Sequence, residues 1–242
     1  MKSINETGQK KVSIDKNTDY FLGQHDSYRK KIGEIDSYKL ISCAISEKLM
    51  GVNKLLDIGN GGVFDYDTSL VSNIIGVDLF LDRLPQDIAL PANIKMVQGS
   101  ALDLPKTLGV FDAVVMVMLI HHLVGEGPDS CKQNAQKAIS EANRVLVPGG
   151  KLIIMESCVP AWFYKFENIV FNASAMIIER LLKHPPTLQY PENVLIELMK
   201  NSGFESILSE RIPKGRHILQ YGFKVPSFLT PVQPTLFVAT KS

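Results

Sequence analysis

Three cysteines in 242 residues (Cys43, Cys131 and Cys158) are too few and too widely spaced for a disulfide framework. None stands in a CxxC or mixed Cys/His pattern, so no metal site is expected and a reducing compartment fits. Charge of one sign is missing too. Twenty-six basic side chains against 25 acidic ones leave a net +1, which gives no bulk attraction to nucleic acid or to a membrane surface. No basic stripe interleaved with aromatics appears either, so a nucleic-acid partner is not expected. Nor is there a long unbroken apolar run. The most apolar segment, Ala161 to His184, carries Lys165, Glu167, Glu179 and Arg180, which rules it out as an ordinary membrane span. The opening "MKSINETGQKKVSIDKNTDY" is polar and lacks the apolar centre of a secretion signal. These absences lead to the expectation of a soluble, cytoplasmic protein.

What is present is ordinary globular material: 45% hydrophobic residues, 21% charged, and length for one α/β domain with an appendage. From residue 19 to 50, Ile35, Tyr38, Leu40, Ile41, Ala44, Ile45 and Leu49 recur at helical spacing, and Gly51 stands where a helix would end. The first fifty residues are therefore expected to form a helical lid, and 51–242 the main domain. Within it "KLLDIG", "IIGVDL", "IKMVQG", "FDAVVMVMLIHH" and "KLIIMES" read as buried strands. "SLVSN" reads as part of a helix, and "CKQNAQKAISEANRVL" as an amphipathic helix before "VPGG". Continuous apolar strands alternating with helices predict a parallel sheet covered on both faces. An extra helix and the "KHPPTLQYP" loop interrupt this rhythm over about 160–190. "ILSERIP" and "TLFVATK" then suggest a final antiparallel pair.

In such a sheet, ligands bind beyond the carboxyl ends of the strands, where strand order reverses, so the first strand-to-helix turn is the place to look. Gly59, Gly61 and Gly62 follow Asp57 there, although a tight turn without a ligand would use the same residues. A dinucleotide oxidoreductase would want G-x-G-x-x-G, but Phe64 stands at the third glycine position. Asp65 and Asp67, read as lying at a helix start, would also repel a pyrophosphate. A cofactor with positive charge and no phosphate suits the turn better.

The ordered series "LLDIGNGG…GVDL…VQGSALDLP…FDAVVMVMLIHHL…RVLVPGGKLIIMES" resembles the motifs of class I S-adenosylmethionine-dependent methyltransferases, of the small-molecule type that includes the quinone-biosynthesis enzymes. The match runs from about Lys54 to Ser157. The resemblance implies a Rossmann-like three-layer α/β sandwich around a mostly parallel seven-stranded sheet whose last strand is antiparallel. It also implies S-adenosyl-L-methionine as cofactor, S-adenosyl-L-homocysteine as product, and a small-molecule methyl acceptor. Asp57, Gly59, Asn60 and Gly61 would hold the methionine end, and Asp78 both ribose hydroxyls. Leu79 would lie against the adenine, Ser100 and Ala101 at its edge, and Met118 beneath the cofactor. Val63 and Ser100 depart from the family, which usually has glycine and aspartate at those positions. They motivate the alternative of a cofactor-binding protein that transfers no methyl.

Methyl transfer is an in-line displacement in which the protein mainly positions the acceptor and excludes water. Some acceptors also need a base. His121 and His122, directly after the fourth strand, are the candidates, although imidazoles there could equally satisfy loop backbone groups. Tyr20, Glu156, Trp162 and Phe166 are candidate acceptor contacts for an apolar or aromatic metabolite. His25, Ser157, Cys158 and the basic "RIPKGRH" have structural explanations at least as good.

Overall fold

Leu55 and Leu56 are neighbours in sequence and both fully buried, yet they belong to different cores. So do Ala113 and Val114, Val115 and Met116, and Leu152 and Ile153. Successive side chains of a strand point to opposite faces, so an unbroken apolar run is what a strand with both faces covered requires. The computed structural model describes residues 36–81, 90–169, 171, 187–212, 217–220, 223–226 and 232–242.

The strands are β1 (Lys54–Ile58), β2 (Asn73–Asp78), β3 (Ile94–Gln98), β4 (Phe111–Val117), β5 (Leu146–Cys158), β6 (Phe204–Arg211), β7 (His217–Gln220), β8 (Phe223–Pro226) and β9 (Gln233–Lys241). Seven of them form one sheet in the order β3-β2-β1-β4-β5-β9-β6, and β7 pairs with β8 as a separate antiparallel ribbon. β1 to β5 pair in parallel, whereas β9 runs antiparallel to both β5 and β6. This is the Rossmann-like three-layer sheet expected from the sequence, with its last strand reversed.

The helices are α1 (Asp36–Lys48), α2 (Pro128–Val145), α3 (161–169) and α4 (Glu192–Asn201). On one face, Cys131, Ala135, Ala138, Ile139 and Ala142 of α2 and Leu195, Leu198 and Met199 of α4 pack on Leu56, Val114, Met116, Leu152 and Ile154. The alanine stripe lets α2 lie close to the sheet. Pro128 at its first turn and the Ser130 hydroxyl, which accepts the Gly127 N–H at 3.0 Å, fix its start. On the other face, Ile41, Ile45 and Leu49 of α1 and its C-terminal turn pack with Leu55, Ile74, Val115, Ile153 and Met155. Residues 36–48 are thus part of the sheet's covering layer, which departs from the lid expected over 1–50; residues 1–35 lie outside the described residues.

A second correction concerns "SLVSN". No α-helix follows the glycine turn; a single 3-10 turn, Thr68–Leu70, stands there instead. Asp67 caps it by accepting the Ser69 N–H at 3.0 Å. The Asn93 amide donates to the carbonyls of Thr68 and Val71 at 2.8 Å each, taking acceptors a longer helix would use itself. β5 also begins earlier than expected, at Leu146. It passes through "PGG" with a register shift opposite Phe111 and Ala113, and Gly149 there adopts φ 74°. The β7–β8 ribbon was not expected at all.

Candidate active site

Strand order reverses between β1 and β4, and their carboxyl ends place two turns side by side. One is Gly59–Gly62; the other is Met118–His122. Gly59, Gly61 and Gly62 all have positive φ (74°, 56° and 78°). A Cβ on Gly59 would meet Cδ1 of Leu119 at 2.5 Å, so only glycine lets the second turn approach this closely. A Cβ on Gly61 would meet nothing within 4 Å, and the turn is open above it. The Asn60 carboxamide oxygen accepts the Gly62 N–H at 2.8 Å and holds the turn's shape.

Asp78 closes β2 and faces this turn. Its Oδ2 accepts the Gly61 N–H at 2.9 Å and its Oδ1 the Phe80 N–H at 3.1 Å. Each oxygen keeps lone-pair capacity, and both are fixed in direction, which suits a pair of adjacent hydroxyls. Leu79 beside it is partly exposed, and its carbonyl accepts from the Gln98 side chain at 2.9 Å. Ser100 follows β3. Its hydroxyl accepts the Leu102 N–H at 3.1 Å, and Ala101 is buried beneath. Met118 holds φ 50°, a sparsely populated conformation for a side chain with a Cβ. Its N–H donates to the Met155 carbonyl at 2.8 Å, which helps impose the conformation.

Asp57 is buried inside the glycine turn. The Tyr66 hydroxyl donates to its Oδ2 at 2.8 Å, while Oδ1 is enclosed and has no hydrogen-bond partner. Burial pushes the Asp57 carboxyl up to about 7, against the lowering effect of the Tyr66 hydroxyl and the nearby Asn60 side chain. Tyr66 is held well above the ordinary tyrosine range by its own burial and by the Asp57 charge. These residues fit S-adenosylmethionine. The orphan Oδ1 is an acceptor awaiting a cation or its water, Gly61 leaves room for backbone contact, and Asp78 presents a ready diol site. The absence of an α-helix after the turn also removes the helix N-terminus on which a pyrophosphate would rest. That is a stronger objection to a dinucleotide than the charge of Asp65 and Asp67.

The second turn carries the two imidazoles, His121 and His122. His121 Nδ1 lies 2.5 Å from Glu156 Oε1, and Glu156 is completely buried. The same Oε1 accepts the Ser157 N–H at 2.7 Å, and Oε2 accepts the His121 N–H at 3.3 Å. β-Sheet register explains the meeting: Val117 of β4 pairs with Met155 of β5, so the next residue on β5 is level with the turn after β4. The His122 ring lies tilted against that of His121, with centroids 4.0 Å apart and planes at 43°. Glu156, expected as an acceptor contact, is bonded to the His121 imidazole.

Other expected acceptor contacts fall apart from one another. Trp162, Phe166 and Ile169 on α3 are 67, 58 and 83% exposed. Phe171 is buried in the main core. Tyr20 and His25 lie outside the described residues, as do 172–186 and most of "RIPKGRH". Two functional candidates were missed: Tyr66, hidden in an acidic "FDYD" that reads as loop, and Glu167, which serves as the charge that breaks an apolar run. Among the described residues no His, Cys, Asp or Glu cluster could hold a metal, and no helix is long and apolar enough to cross a membrane.

Comparison with known proteins agrees with this geometry. The methyltransferase domain family matches residues 56–154. The ubiquinone/menaquinone biosynthesis C-methyltransferase of Haemophilus ducreyi is 25% identical over 198 residues, 71% of this chain and 71% of that protein. The indole glucosinolate O-methyltransferase 5 of Arabidopsis thaliana is 30% identical over 164 residues, 64% of this chain but 40% of that protein. Among solved structures, the N-methyltransferase NodS of Bradyrhizobium japonicum WM9 bound to S-adenosyl-L-homocysteine superposes with TM-score 0.55 at 14% identity. That superposition covers 85% of this chain and 86% of NodS.

Proposed function

We propose that this chain, a class I S-adenosylmethionine-dependent methyltransferase similar to those of quinone biosynthesis, methylates an ionisable hydroxyl on a small apolar or aromatic metabolite, with His121 as the base. One observation carries the reading: the contact between His121 Nδ1 and the buried Glu156 carboxyl at 2.5 Å. A carboxylate fixed at Nδ1 selects the tautomer with its proton there and leaves Nε2 as the basic nitrogen. Glu156 cannot turn away, because Ser157 and the His121 backbone hold both its oxygens. It therefore orients the imidazole and sits where positive charge appears once Nε2 takes the acceptor's proton. The cofactor, when bound, supplies an electrophilic methyl group on its sulfonium. The protein's share is to position the acceptor, keep water out and remove one proton.

The experiment is transfer of labelled methyl from S-adenosylmethionine to a panel of apolar phenols. His121→Ala should lower kcat by roughly a hundredfold or more with S-adenosylhomocysteine bound as tightly as before. Glu156→Gln, which keeps the volume but removes the charge, should lower kcat in the same direction. An unchanged kcat in His121→Ala refutes the base.

A further inference from the structure

Building on the base-assisted reading, we propose that Glu167 selects the acceptor by taking a hydrogen bond from a second donor group, O–H or N–H, next to the hydroxyl that His121 deprotonates. Glu167 lies on α3, outside every motif that points to the cofactor. Its Oε2 is enclosed and has no partner. One short segment ties it to the base: the Leu188 N–H donates to the His121 carbonyl at 3.1 Å, and the adjacent Gln189 N–H donates to the Glu167 carboxyl. Consecutive amides thus hold the base and the carboxyl as neighbours.

Among the described residues no side chain supplies the missing donor, and the Tyr190 hydroxyl, itself enclosed, makes no bond to it. The Gln189 amide is committed to the Ser157 hydroxyl at 3.3 Å, and Lys165 on the same helix is exposed. Asn168, next on the helix, also has an enclosed oxygen without a partner. Two enclosed acceptor atoms on one helix, beside a base and with no donor bonded to them among the described residues, are the complement of a ligand that brings donors. Burial pushes the Glu167 carboxyl up to about 7, against the lowering effect of the Gln189 amide. A phenol with one hydroxyl leaves that carboxyl bare. A phenol with a neighbouring hydroxyl or amine satisfies it and brings its reacting oxygen to His121 in a fixed register.

The test compares kcat/KM for catechol and 2-aminophenol with that for 2-methoxyphenol, each also as its 4-alkyl derivative. The wild type should prefer the donor-bearing acceptors by roughly ten- to hundredfold, the range of a hydrogen bond to a charged group. Glu167→Gln should shrink the preference to within about threefold. If Glu167→Gln fails to bind S-adenosylhomocysteine, Glu167→Asp is read instead; its shorter reach must also reduce the preference. A preference confined to the hydroxyl or the amine series identifies the donor. Methylation of all acceptors without preference, or a preference that survives both substitutions, overturns the assignment of Glu167 while leaving hydroxyl methylation intact. A wild type that methylates none of them overturns that reading and this inference together.

Discussion

Tyr66 donates its hydroxyl to Asp57 across 2.8 Å, so the loop that follows β1 reaches back to the strand, and both side chains are buried. Tyr66→Phe removes the hydroxyl donor from Asp57 Oδ2, while Oδ1 is already without a partner. The expected cost is on the order of 1–3 kcal/mol, read as a lower urea midpoint at unchanged slope. An unchanged midpoint means the bond contributes nothing.

Asp57 makes stability depend on pH with a defined sign. Its carboxyl is raised from 3.8 to about 7 by burial. A folded value above the unfolded one contributes stability that is fully present below the unfolded value and is lost as pH climbs to about 7. Glu167, raised from 4.5 to about 7, acts in the same direction. Urea midpoints should therefore fall between pH 5 and pH 8, and the fall should be smaller in Asp57→Asn. Cofactor binding has the opposite slope. An ammonium favours the ionised acid, so affinity for S-adenosylhomocysteine should tighten through pH 7 in the wild type and stay flatter in Asp57→Asn.

Asp78 joins the second strand to the glycine turn through the Gly61 amide and fixes its own strand end through the Phe80 amide. Asp78→Ala removes both the loop anchor and the diol acceptor, and calorimetry should find affinity for S-adenosylhomocysteine lowered by about a hundredfold. Asp78→Asn keeps one oxygen for the Gly61 amide and should lose less. If Asp78→Ala binds as the wild type does, the adenosyl site lies elsewhere.

Phe166 and Phe171 lie on one apolar run but in opposite settings. Phe171→Ala opens a hole in the main core and should cost about 3–5 kcal/mol in denaturant unfolding. Phe166 is exposed, so Phe166→Ala should stay within about 0.5 kcal/mol of the wild type. If it also leaves the acceptor KM unaltered, α3's exposed face is not part of the acceptor pocket.

Sequence alone determined what depends on neighbours along the chain. Leu55 and Leu56, Ala113 to Val117 and Leu152 to Met155 are unbroken apolar stretches because a strand covered on both faces tolerates no polar alternation. The glycine turn and Asp78 were legible for the same reason: a turn that needs positive φ and an acid ending the next strand leave a local signature. Tertiary structure decided the rest. "SLVSN" has the composition of a helix, but Tyr66 reaches back to Asp57, and Asn93 takes the carbonyls of Thr68 and Val71. Glu156 became the partner of His121 only because β4 and β5 pair in one register, and Glu167 joined them only through the backbone amides of Leu188 and Gln189. Spacing cannot encode such meetings, because what brings a carboxyl to an imidazole is the folding of distant segments onto one edge of the sheet.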